Sequence, residues 1–65
     1  MTPTFFSTPL FDFRLISNPD WKMPWHIERR NTVFPDAQWV LFRAFENREI
    51  ALRYFEAIRL SQSDA

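Results

Sequence analysis

The hydrophobic and polar positions change period once along this chain. Residues 10–16, LFDFRLI, put Phe11, Phe13 and Leu15 on one side of an extended backbone and Leu10, Asp12, Arg14 and Ile16 on the other, which is the alternation of a half-buried strand. Residues 25–30 alternate again, with Trp25, Ile27 and Arg29 opposite His26, Glu28 and Arg30. A third alternating stretch begins at Gln38 and sets Trp39, Leu41, Arg43 and Phe45 against Val40, Phe42 and Ala44. After Asn47 the period becomes helical. At about 100° per residue, Ile50, Ala51, Tyr54, Phe55, Ala57 and Ile58 share one arc, and Glu49, Arg53, Glu56 and Arg59 occupy the other, with Leu52 and Leu60 among the charges.

The connections carry their own signals. Asn47 is a good N-cap, and Glu49 places an acid in the first turn, where the helix dipole favours one. Residues 17–24, SNPDWKMP, form a proline-marked turn, and Trp21 within it is expected to lie as a lid over the core. Residues 31–37, with Phe34, Pro35 and Asp36, make the next connection. Because the chain has Gly 0, any left-handed turn position falls to Asn18 or Asn31, the residue type that tolerates it best after glycine. Before Leu10, two prolines and three threonines surround Phe5 and Phe6. Proline withholds ladder donors, so residues 1–9 read as an extended or flexible arm.

These elements predict an α+β domain over residues 10–60, a three-stranded antiparallel sheet followed by one C-terminal amphipathic helix packed on one face (β-β-β-α). Residues 61–65 read as a disordered polar tail. A symmetric pairing of strands two and three sets Arg29 opposite Trp39, Ile27 opposite Leu41 and Trp25 opposite Arg43, two arginine–tryptophan pairs around an aliphatic centre. The helix then covers the side bearing Phe11, Phe13, Leu15, Trp25, Ile27, Trp39, Leu41 and Phe45.

The other side is the expected binding surface. A sheet face that meets only water is polar throughout, yet this one carries the row Val40, Phe42 and Ala44 beside His26, Glu28 and Arg30. With Phe5 and Phe6 contributed by the arm, these residues predict a protein-binding surface centred on Phe42, with strand three available as a sheet edge to which another chain can add.

Composition narrows the function classes. A 65-residue chain buries only about 60% of its unfolded surface, so its stability is small, and domains of this size often lean on disulfides, metals or partners. Cys 0 removes disulfides and the usual zinc sites and fits a reducing, cytoplasmic setting. The aromatic share of 18% exceeds what so short a chain hides easily. No basic, unbroken apolar leader opens the sequence, and no apolar run approaches the ~20 residues of a membrane span.

A formal net charge of +0 supplies no overall field for nucleic acid or anionic lipid. Seven of the eight cations are arginine, however, and Arg29, Arg30 and Arg43 with Trp25 and Trp39 give an alternative reading as a nucleic-acid surface that stacks single-stranded bases. Catalysis is not expected: His26 is the one histidine, and Ser7, Ser17, Ser61 and Ser63 fall in expected loops or tails with no base beside them. Asp12, His26 and Glu28 share a face, but a lone histidine with carboxylates is a weak metal signature, and no cofactor or small-molecule substrate is expected. The sequence therefore points to a small adaptor, inhibitor or accessory subunit that docks on a larger protein or on a second copy of itself.

Overall fold

The structure, a computed structural model, describes residues 4–63. Four strands, β1 (Phe5–Ser7), β2 (Phe11–Ser17), β3 (Trp25–Asn31) and β4 (Val40–Phe45), precede one helix, α1 (Arg48–Ser63). The strands pair in chain order as a single antiparallel sheet. The α+β class and the C-terminal helix agree with the sequence pattern, but the sheet has four strands where the pattern predicts three.

The additional strand lies in the expected arm. Phe6 pairs with Phe13 and Ser7 with Asp12, and Pro9 falls in the hairpin connection, where its missing N–H removes no ladder bond. Thr8 closes that hairpin: its hydroxyl donates to the Phe11 carbonyl at 3.0 Å and accepts the Phe11 N–H at 2.9 Å. Residues 1–3 of the expected arm lie outside the described residues.

Asparagine shapes the other connections through its side chain. No described residue takes a positive φ, so the left-handed position expected of Asn18 or Asn31 does not occur. Instead Asn18 Oδ1 accepts the Asp20 N–H at 3.0 Å and Asn31 Oδ1 accepts the Val33 N–H at 2.8 Å, turns that bend the chain within the ordinary backbone regions.

Asn47 caps α1 as predicted, its Oδ1 accepting the Glu49 and Ile50 N–H groups at 2.7 and 3.3 Å. Asn47→Ala is expected to lower stability by about 1 kcal/mol, read as a lower urea midpoint at unchanged slope. The helix runs through Ser63, so residues 61–63 of the expected tail are helical, and 64–65 lie outside the described residues.

The core lies between one face of the sheet and α1. Phe13, Leu15, Ile27, Ala51 and Phe55 are buried, and Phe6, Phe11, Trp25, Phe42, Phe45, Leu52 and Ile58 pack around them. The buried arc of the helix is rotated from the predicted one: Leu52 joins the core, whereas Ile50 is 56% exposed and Tyr54 and Ala57 lie outside it. Ala51, Phe55 and Ile58 keep their predicted places, Phe55 against Phe6 with ring centroids 5.0 Å apart.

Candidate functional site

Pairing between β3 and β4 decides which side chains reach each face. Trp25 pairs with Phe45, His26 with Ala44 and Ile27 with Arg43, after which the register shifts and Glu28 pairs with Leu41 and Arg29 with Val40. Phe42 is the extra residue of a bulge, a place where two residues of one strand oppose one of its partner and the alternation of faces is interrupted. Phe42 and Arg43 consequently both lie on the helix side: Phe42 packs on Phe13 with centroids 5.8 Å apart, and Arg43 Nε donates to the Tyr54 hydroxyl at 3.3 Å.

The bulge overturns the predicted register and exchanges the faces predicted for residues 39–42. Neither the Arg29–Trp39 nor the Trp25–Arg43 pair forms. Phe45, Trp25 and Ile27 remain under the helix as expected, but Leu41 moves to the open face opposite Glu28 and Trp39 joins the open-face arginines. The apolar row is dispersed: Phe42 is half-buried on the helix side, Ala44 is half-buried beside His26, and Val40 stands 60% exposed at the sheet edge. Phe6 likewise belongs to the core, stacked on Phe13 at 4.8 Å. Of the predicted protein-binding residues, Phe5, His26, Glu28, Arg30 and Ala44 share the open face.

That face is built on a ladder of ion pairs. Arg14 Nε donates to Glu28 Oε1 at 2.8 Å, with its terminal nitrogen 2.6 Å from the same oxygen, and Arg30 Nε donates to Asp12 Oδ2 at 3.0 Å. Asp12, 8% exposed, also accepts the Ser7 hydroxyl at 2.7 Å. The Ser7 hydrogen bond, then the bond and charge of Arg30, hold its carboxyl below the ordinary value despite opposition from burial. Asp12 is thus the side chain that joins β1, β2 and β3.

Two tryptophans from the connections lie on this ladder. The Trp39 ring lies beneath the Arg14 and Arg30 guanidinium carbons, 4.2 and 4.8 Å from its centroid, and meets Phe5 edge-on at 6.5 Å. Trp21 stacks on His26 at 4.0 Å with 9° between the planes, so it covers the open face and not the core as predicted. Its stacking also covers one side of the imidazole, and among the described residues no three metal-ligating side chains converge.

The arginine and tryptophan cluster of the nucleic-acid reading divides across the sheet. Trp25 packs under α1. Arg29 and Arg43 flank Phe42 on the helix side, at 4.8 and 4.6 Å from its ring centroid, and only Arg30 and Trp39 meet on the open face. Ser7 and Ser17 end strands and Ser61 and Ser63 lie in the last helical turns, which corrects their expected loop positions.

The two exposed apolar residues of β4 are Val40, at 60%, and Leu41, at 55%. Among the described residues β4 is an edge strand that pairs only with β3, so its outer side can accept another strand, although the Phe42 carbonyl at the bulge accepts from Arg43 Nη1 at 2.8 Å. Of the predicted binding residues on this strand only Val40 is exposed, and the alternation assigned Leu41 to the core because the bulge has no mark in composition. No known family model, curated protein or solved structure matches the chain.

Proposed function

We propose that this protein is a non-enzymatic binding module that docks on a larger protein, or on a second copy of itself, through the β4 edge and the adjoining open face. The observation that carries this reading is the exposure of Val40 and Leu41, one to each face of an edge strand that pairs on one side only. Exposed apolar residues on such an edge are what protein sheets ordinarily avoid, because they invite another chain to add a strand. Leu41 is continuous with the half-buried Ala44 and His26 on one side and with the Glu28–Arg14 pair on the other, an apolar centre with a charged rim, which is the anatomy of protein interfaces.

Strand addition supplies affinity through the backbone, and alternate side chains supply selectivity. In this arrangement Leu41 contacts the partner on the open face, Val40 does so on the helix side, and Arg14, Glu28 and Arg30 orient it. A cytoplasmic setting accords with the cysteine-free sequence. Among the described residues no helix is long and apolar enough to cross a membrane.

Phe42, half-buried against Phe13, is unsuited to test this surface because a charge there disturbs the core. The suitable variant is Val40→Lys with Leu41→Lys, which places charge on an exposed edge as folded sheets tolerate. It is expected to weaken complex formation at least tenfold, the size of an interface hot spot loss above about 1.4 kcal/mol, with unchanged circular dichroism. Sedimentation equilibrium reads the self-complex, and quantitative pull-down reads the complex with another protein. Equal association of the native and doubly substituted chains refutes the surface.

A further inference from the structure

A second feature lies on the other side of the sheet. Between α1 and the β1–β2 hairpin runs a groove of about 580 Å³, floored by Phe11 and Phe42 and overhung by Tyr54, Ala57 and Ile58. Its size and mainly apolar walls are those of small-molecule sites, in which a few polar groups fix the orientation of a ligand.

The polar groups here are specific. Arg29 reaches the groove with its guanidinium carbon 4.6 Å from the Phe11 ring centroid and 4.8 Å from that of Phe42. These contacts engage the cation through the ring faces and leave its N–H groups unspent. Among the described residues no carboxylate lies within ion-pair distance of Arg29 and no acceptor takes a hydrogen bond from it, in contrast with Arg14, Arg30 and Arg59, each of which holds an acid. Tyr54, on the overhanging wall, accepts from Arg43 through its hydroxyl oxygen and so keeps its own proton to donate.

We infer that this groove binds a small aromatic carboxylic acid, the ring lying among Phe11, Phe42 and Ile58 and the carboxylate meeting Arg29. Charge complementarity selects the acid. An unpaired, half-buried guanidinium with free parallel donors matches a carboxylate in the two-pronged geometry that arginine favours, and aromatic walls favour an aromatic body by offset or edge-on contact. This site is separate from the β4 edge, so its occupancy and protein docking are independently measurable.

The test compares naphthalene-1-acetate with its neutral isostere naphthalene-1-acetamide, each titrated into the full chain and followed by amide nitrogen–proton correlation spectra. The acid is expected to bind saturably with its shifts centred on Phe11, Phe42 and Ile58, and roughly tenfold more tightly than the amide, the preference of a charge-assisted hydrogen bond. Arg29→Gln is expected to bring the acid down to the affinity of the amide while leaving the amide unchanged. Ala57→Phe, which fills the groove from an exposed helical position and keeps Arg29, is expected to abolish both and tests the groove even where Arg29→Gln does not fold. The inference is overturned by non-saturating titrations, by equal affinity of the two compounds for the native chain, by shifts centred on Trp21 or Leu41, or by binding that survives Ala57→Phe. It is equally overturned if dilution of the protein alone produces the same shifts, since a second copy then occupies the groove.

Discussion

Phe55→Ala is expected to remove about 3–5 kcal/mol of stability, a large share of what so short a chain has. Phe55 is 0% exposed and contacts the sheet from the centre of α1, and truncating a buried phenylalanine costs about 3–5 kcal/mol because the cavity closes only in part. At roughly 0.05–0.15 kcal/mol per residue, a 65-residue chain has only about 3–10 kcal/mol to lose. Urea denaturation followed by circular dichroism reads the loss, and Ile50→Ala is the paired control. Ile50 belongs to the arc that the helical period predicts as core, yet it is 56% exposed, so its replacement is expected to change stability by less than about 0.5 kcal/mol. Equal losses for the two variants refute the observed rotation of α1.

Asp12→Ala is expected to destabilise the fold by about 1–3 kcal/mol at neutral pH, the cost of leaving the Arg30 and Ser7 partners of a buried carboxylate unmatched. The native chain is also expected to be acid-sensitive through this group. Its carboxyl is depressed below 3.8 in the folded state, chiefly by the Ser7 hydroxyl and then by Arg30. The unfolded chain therefore takes up the proton first as the pH falls, and the stabilisation, fully present above the ordinary value, is lost on descending through the folded one. Stability measured from pH 5 down to pH 2 falls more steeply for the native chain than for Asp12→Ala. Parallel curves mean that another carboxylate carries the acid sensitivity.

Much of the architecture is legible from period and caps. Strands β2 and β3 follow from their alternation, and Asn47 with the change of period marks the start of α1. The remainder depends on relations between elements. Pro9 reads as a strand breaker until the hairpin places it in the connection, and then Phe5–Ser7 becomes a strand. The choice between Ile50 and Leu52 as core residues is made by how α1 crosses the sheet, which a helical wheel does not contain. The candidate site was the least legible part, since one bulge residue redistributes Trp39, Leu41 and Phe42 between the two faces. The open face is partly clothed by Trp21 and Trp39 from the connections, an arrangement that local alternation does not encode, and the groove at Arg29 exists only once β1 folds back beside α1.

The bulge at Phe42 also bears on how this chain tolerates change in length. Excising that single codon would restore a regular ladder with Arg43 still opposite Ile27 and Leu41 still opposite Glu28. Leu41 and the indole of Trp39 would keep their places and only the ring packed on Phe13 would be lost, whereas a residue removed anywhere else in the strand would swing all that precedes it through half a turn. Among natural variants of this fold, gaps and insertions are therefore expected to collect in the loops after Ser17 and Asn31 and, within this strand, to fall only at position 42.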